Sequence, residues 1–196
     1  MKTYLIPAAL AASMLAPAAA NAQAVPGAVI AVVDLERVTS TCNACKTART
    51  ALQGQLTALQ NREKTLAGPL ETEGRSIKAA VDALKGKPVD ATLQARADAW
   101  EQKRAQAAQE LSRQQNQIQR NQGYITQQIS AKLNPIYQQV MQRRGANILV
   151  EQGATLATST SVDVTNDVLT ALNTALPSIA TVAPAPAQPK QQPQGR

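Results

Sequence analysis

The chain lacks histidine and phenylalanine, has one tryptophan, Trp100, and is only 2% aromatic over 196 residues. Without histidine there is neither imidazole acid–base catalysis nor histidine ligation of a metal. Two cysteines, Cys42 and Cys45, make an incomplete zinc site. Lys46 stands where a c-type haem attachment motif needs histidine. No glycine-rich phosphate loop is present, and single Ser or Asp residues form no catalytic pattern. The sequence therefore predicts no catalytic, cofactor-binding or metal-binding residue, and reads as a non-enzyme. Much of its apolar content is alanine. Such a chain cannot build a large compact core alone, so it must extend or share a core with copies of itself.

Long apolar runs are scarce as well. The first 22 residues read as an export signal: basic Lys2, an apolar stretch from Leu5 to Leu15, and a small-residue cleavage site at Ala20-Asn21-Ala22. The stretch is too short for a membrane span, which disfavours the competing reading of an uncleaved anchor. The expectation is a mature chain beginning at Gln23, exported and soluble. In a Gram-negative cell that is the periplasm.

What the chain does have is two long heptad patterns. The first runs Leu52, Leu56, Leu59, Leu66, Leu70, Ile77, Leu84, and the second Leu93, Ala97, Trp100, Ala107, Leu111, Ile118, Ile125. Steps of three, four and seven put these side chains on one stripe of a helix. Gly86-Lys87-Pro88 breaks the helix between them and lets it reverse. The first helix is expected to end near Lys85 and span roughly 60 Å, and the second to run from Val89 to Arg144 over roughly 80 Å. Gly68-Pro69 and Asn134-Pro135 are expected bends, and Gly74 a soft point. Arg104, Gln114, Asn121 and Gln128 occupy positions where the heptad wants apolar residues. Beyond Ile125 the pattern slips by one residue to Ile129, Leu133, Ile136 and Val140.

Short strands flank the hairpin. Val29–Val33 is β-branched and follows Pro-Gly, Asn147–Glu151 is a second candidate, and Thr155–Ser159 a weaker third. Asp34–Thr41 reads as a connector, with Ser40 and Thr41 as candidate helix caps. Thr165 is the expected cap of a short amphipathic helix that carries Val168, Leu169, Leu172 and Leu176 and stops at Pro177. The domain reading is a signal at 1–22, a small β/α body from 23–41 and 145–176, an arm at 42–144, and a disordered Pro/Gln-rich tail at 177–196. Three short strands and one helix are marginal as a monomer, so oligomerisation through the sheet is expected. Charge divides along the same lines. Residues 42–144 hold 16 Lys/Arg against 8 Asp/Glu, net +8, whereas the body has Arg37 against Asp34, Glu36, Glu151, Asp163 and Asp167, net −4. A one-signed extended surface attracts acidic partners. The export signal argues against nucleic acid as that partner.

The order of parts resembles the Skp (OmpH-like) family of periplasmic chaperones. The resemblance is carried by Val29-Ile30-Ala31-Val32-Val33-Asp34, the inserted basic hairpin, Ile148-Leu149-Val150-Glu151, and Val162–Leu169 with its Asp-hydrophobic-Thr-x-x-hydrophobic pattern. It spans Ala28 to Leu176. It implies a mainly α fold with a small β-body: a homotrimer whose three coiled-coil hairpins project as tentacles around a cavity. It also implies an ATP-independent holdase that keeps unfolded outer-membrane proteins from aggregating. Candidate client contacts would then be Arg62, Lys64, Arg75, Lys78 and Lys85 on the first helix and Lys87 in the turn. Arg96, Lys103, Arg104, Arg113 and Arg120 complete them on the second. Some members of the family are linked to lipopolysaccharide, so lipopolysaccharide or an anionic membrane surface is a further partner, without assigned positions.

Three features admit more than one reading. Cys42-x-x-Cys45 is foremost a local disulfide pinning a helix start, with an intersubunit bridge and a thioredoxin-like redox pair as alternatives. Trp100 is a packing anchor between the helices ahead of a client-binding aromatic, and Tyr124 and Tyr137 fit either role. As a whole, the chain could instead be a coiled-coil adaptor or structural protein of the cell envelope, or an oxidoreductase centred on the two cysteines.

Overall fold

The computed structural model describes residues 26–186; the expected export signal and the last part of the expected tail lie outside them. Strand β1 (Ile30–Val33) leads into a short helix α1 (Leu35–Thr41). Two long helices follow, α2 (Asn43–Ala83, 41 residues) and α3 (Ala91–Arg144, 54 residues). Strand β2 (Ile148–Glu151) and helix α4 (Thr165–Ala175) complete the chain order. The fold is mainly helical with a small sheet. No described helix is long and apolar enough to cross a membrane.

β1 and β2 pair in parallel, with Ile30 opposite Ile148 and Val33 opposite Glu151. Parallel neighbours need a long crossover, and here the crossover is the entire helical hairpin. The third strand expected at Thr155–Ser159 does not form. Two single turns of 3₁₀ helix, Gln152–Ala154 and Thr160–Val162, flank that segment. Its one large apolar residue, Leu156, is fully exposed, so it has no face to bury against a sheet. The third position is met only by a single bridge, where Val32 pairs with Asp163 and its carbonyl accepts from Val164 N–H at 2.8 Å.

Residues 35–41, expected as a connector, are helical. Asp34 is the reason: its Oδ1 accepts from Arg37 N–H at 2.8 Å and caps α1. Neither Ser40 nor Thr41 caps α2. Cys42 does, with Sγ accepting from Cys45 N–H at 3.1 Å. Asn173 of α4 adds a second acceptor, Oδ1 at 2.9 Å from Asn43 N. Cys42 and Cys45 are bridged, and both are buried. Thr165 likewise does not cap α4 but is its first residue. It is fully buried, accepting from Asp34 N–H through Oγ1 at 2.9 Å and donating its own N–H to Asp163 Oδ1 at 2.8 Å. Hydrogen bonding from Thr165, side chain first and then amide, holds the Asp163 carboxyl below its ordinary range, with the charge of Arg37 adding to it.

The core gathers Ala31 and Val33 of β1, Val38 of α1, Ala44 and Cys45 of α2, Leu133, Ile136 and Val140 of α3, and Val168 and Leu172 of α4. This relocates the arm–body boundary. The roots of both long helices, expected as arm, belong to the body. Beyond the one-residue slip after Ile125, Leu133, Ile136 and Val140 of α3 enter this cluster together with the α2 root, and α3 also packs against α4 and β2. Arg143 and Arg144 occupy the last turn of α3, and Gly145 ends it with φ 65°, a left-handed conformation that glycine adopts without steric cost.

Along the arm, α2 and α3 run antiparallel: Gln55 meets Asn121, Arg62 meets Glu110, and Glu73 meets Arg96. Pro69 and Pro135 sit inside continuous helices. Both are exposed, so the carbonyl each leaves unpaired one turn earlier faces water. Trp100 is the anchor between the helices. Its Nε1 donates to the Leu70 carbonyl at 2.8 Å, and its ring lies on Gly74, where a Cβ would come within 2.9 Å of Cζ2. Gly74 is therefore the seat of the indole, not merely a soft point.

Two substitutions separate packing from propensity. Gly74→Ala should destabilise by about 1–3 kcal/mol, because the rigid, hydrogen-bonded indole has to move. Gly54→Ala has nothing within 4 Å of the new Cβ and should stabilise by about 1 kcal/mol; urea midpoints of the two variants moving the same way would refute this account. Cys42→Ser with Cys45→Ala keeps a cap acceptor and an apolar group but removes the loop closure, which should cost about 2 kcal/mol. The check is a urea midpoint lowered at unchanged helicity.

Candidate functional site

Two helices alone cannot enclose a heptad seam. Of the arm's seam residues, Ile77 and Ala107 are buried, whereas Leu52, Leu59, Leu66, Leu70, Leu93 and Leu111 are half-buried and Leu56 is exposed. Beside Pro69 this leaves a groove of about 320 Å³, floored by Leu66, Leu70 and Ala107 and rimmed by Arg62, Lys103 and Glu110. Apolar surface and cationic stems thus lie side by side along the arm. A long Lys or Arg side chain offers an alkyl stem as well as its charge.

The arm cations fall into two groups. Arg62 grips Glu110 with a two-pronged contact at 2.6 and 3.0 Å. Arg96 grips Glu73 in the same way at 2.5 and 3.1 Å and reaches Ser76 Oγ at 2.7 Å. These pairs cross between α2 and α3 and tie the arm together. The guanidinium hydrogen bonds hold both Glu73 and Glu110 below the ordinary carboxylate range. Their contribution is therefore present above about pH 4.5 and fades as pH falls through the lowered values. Lys78 pairs with Asp82 one turn on, at 2.7 Å. Arg104 pairs with Glu101 and lies over the Trp100 ring, 5.5 Å from its centroid. Arg120 is held by Gln117.

Lys64, Arg75, Lys85, Lys87, Lys103 and Arg113 make no ion pair among the described residues. They leave positive charge open to a partner from the middle of the arm to its tip. At the tip the chain reverses through Lys85 and Gly86, both at positive φ (50° and 86°). Val81 and Val89 are exposed beside them. The candidate residues thus divide into those that fasten the arm and those that remain available, a distinction that spacing alone could not make.

Sequence reasoning missed one element of the arm. The chain after α4, expected to be disordered from residue 177, lies along the hairpin root through residue 183. Ile179 packs against the core, and the main chain of Ala180–Ala183 is hydrogen-bonded to Gln55, Gln117, Asn121 and Gln128. The only available signal was the row of amides at Gln114, Asn121 and Gln128, in positions the heptad wants apolar.

In the body, β1 is flanked by β2 and by residue 163, whereas the other edge of β2 meets no strand among the described residues. Its neighbours in register, Ile30 and Ile148, are 48% and 42% exposed, and Val29 is exposed next to them. A groove of about 380 Å³ runs alongside, lined by Val33, Leu35, Tyr137, Met141 and Leu149. Burial also bears on the cysteines. With Cys42 inaccessible and Cys45 nearly so, the pair lacks the solvent exposure of a reactive thiol. No cluster of metal-ligating side chains occurs among the described residues.

The family described as Outer membrane protein (OmpH-like) matches residues 29–172. No curated protein matches the chain significantly. Among solved structures, the fold is similar to that of an OmpH-like protein from Caulobacter crescentus, determined as a candidate outer membrane chaperone. The TM-score is 0.65 at 18% identity, over 80% of this chain and 89% of that one.

Proposed function

Because the chain belongs to the OmpH-like family of outer membrane proteins, whose role is that of a chaperone, we propose that it is an ATP-independent periplasmic holdase for unfolded outer-membrane proteins. The observation that carries this reading is the arm: a long two-helix lever, net positive, whose apolar seam stays partly open between unpaired lysines and arginines. Unfolded β-barrel chains expose strand edges and apolar side chains and aggregate for that reason. Many weak contacts along a semi-open seam can hold such a chain without committing it to one conformation. Positive charge raises the encounter rate with acidic segments.

A homotrimer with three arms around a shared cavity is part of the proposal. The edge of β2 that meets no strand among the described residues, the exposed Ile30–Ile148 pair and the protruding Leu156 support it, since a two-stranded sheet is too small to be stable alone. Lys64, Lys103 and Arg113 are assigned to client contact in the middle of the arm, and Lys85 and Lys87 at its tip. The same cations would serve for lipopolysaccharide or another anionic surface. No observation on the cysteines favours an oxidoreductase.

The test is light scattering of a denatured porin diluted into buffer with the mature protein, with the complex mass read by native mass spectrometry. Suppressed aggregation with three subunits per client is expected; a well-formed oligomer that leaves aggregation untouched would defeat the reading. Stopped-flow capture rates should fall several-fold between about 50 mM and 500 mM salt, as screening shortens the reach of the arm's field. Neutralising Lys64, Lys103 and Arg113 together should flatten that dependence, and a capture rate indifferent to salt would remove the steering role.

A further inference from the structure

The hydrogen bonds between the arm root and residues 180–183 have one property in common: on the tail's side, every one ends on the main chain. Gln128 treats Ala180 as a neighbouring strand would, accepting from its N–H at 3.0 Å and donating to its carbonyl at 2.9 Å. Asn121 Oδ1 accepts from Ala183 N–H at 2.8 Å, and Gln117 Nε2 donates to the Ala183 carbonyl at 3.3 Å. From the facing helix, Gln55 Nε2 donates to the Thr181 carbonyl at 3.1 Å. Asn121 is only 2% exposed, and its other amide group is fixed by Gln55 Oε1 at 2.7 Å. A buried amide is costly unless its groups are paired, and here part of the pairing comes from the tail.

The spacing explains why the amides recur on the heptad. Seven residues of α-helix rise about 10.5 Å. Three residues of extended chain cover about 10 Å. Asn121 and Gln128 therefore match in pitch the N–H groups of every third residue of an extended peptide running antiparallel to α3; the tail meets the same two amides through Ala183 and Ala180 while bending at Val182 between them. One heptad towards the tip, Gln114 would face residue 186. That residue is proline, which has no N–H to offer, and Gln114 bonds to Glu110 instead, at 3.1 Å.

We propose that Gln128, Asn121 and Gln114 form a ladder that reads the main chain of an extended polypeptide independently of its side chains. The chain's own Ala180–Ala183 fills two rungs in cis. An extended segment of an unfolded client is the ligand that displaces it, and a client with an N–H at the third position engages all three. This rests on the holdase reading and adds where, and by which atoms, a client backbone is held. The tail is then a resident competitor that shields the polar rungs between clients. Its tether gives it a high effective concentration, so a client wins by making contacts elsewhere on the arm as well.

The test keeps the full chain. Ala180→Pro with Ala183→Pro removes the two N–H groups that the tail donates. Binding of a fluorescent peptide with the sequence of residues 178–186 is measured by anisotropy, beside the same peptide N-methylated at the two alanines. The double-proline protein should bind the plain peptide at least about tenfold tighter than the unaltered protein, and the N-methylated peptide at least tenfold more weakly. A peptide with alanine at the position of Pro186 should bind tighter still. Asn121→Leu with Gln128→Leu, added to the double-proline protein, should abolish peptide binding at unchanged helicity, and should weaken porin capture that the double-proline protein strengthens. Peptide binding that ignores N-methylation or survives the leucine pair would overturn the ladder. Equal porin capture by all variants would overturn the client role of the ladder and leave the holdase reading standing. Failure of every variant and of the unaltered protein to suppress porin aggregation would strike at the holdase reading instead, and N-methyl discrimination would still support the peptide site.

Discussion

The architecture depends on one pairing: β1 with β2, in parallel, across the whole length of the helical hairpin. The seam is fastened at its edge by Asn147, whose Oδ1 accepts from Val29 N–H at 2.7 Å over a separation of 118 residues, while its Nδ2 reaches the Gly27 carbonyl at 2.8 Å. A parallel pair cannot be closed by a tight turn. The intervening chain must leave the body and come back, and a pair of antiparallel helices does so while remaining self-supporting. Around the paired strands, α1 and the roots of α2 and α3 share one core with β1, and α4 packs against α1, α3 and β1. The Asp34–Thr165–Asp163 hydrogen-bond chain then locks α4 to the end of β1.

The arm pays for its reach with poor burial. Two helices bury only one line of side chains, and this pair economises further with alanines at Ala97 and Ala107. Stability is concentrated at a few points: Trp100 seated on Gly74, and the two cross-helix arginine–glutamate grips. Between those points the seam is half-open. The same shortage of large apolar residues that prevents a compact core thus produces an extended, cationic, partly apolar surface. Membership of the OmpH-like family gives that surface a chaperone's context. The tail belongs to the same economy, because it supplies main-chain partners to amides that the second helix could not satisfy.

Much of this was readable in the chain. The heptads, the reversal near Gly86, the two strands and the terminal helix follow from periodicity and turn chemistry, since each is decided by neighbours close in sequence. The misreadings have a common origin. Helix α1 is too short for periodicity to register, and only the Asp34 cap decides it. Thr155–Ser159 has a strand-like composition but no partner, and strands exist only in pairs. Cys42 displaced Ser40 and Thr41 as the α2 cap because the bridge to Cys45 and the packing of α1 fix where the helix can begin. The arm–body boundary was drawn at the ends of the helices, whereas the roots of α2 and α3 share the body's core through Ala44, Cys45, Leu133, Ile136 and Val140.

For the functional residues the division is sharper. The absence of histidine, the basic arm and the amide row on the heptad are properties of the sequence, and they set which groups the arm presents: cations and amides beside a thin apolar seam. Which arginines are spent on Glu73 and Glu110 and which lysines stay open was decided by the antiparallel register of α2 on α3. That the amides face a main chain was decided by where α4 delivers the tail. Composition and periodicity act locally and can be read along the chain. Ion pairing, capping and backbone recognition join residues tens of positions apart, and only the folded register brings those atoms within hydrogen-bonding distance.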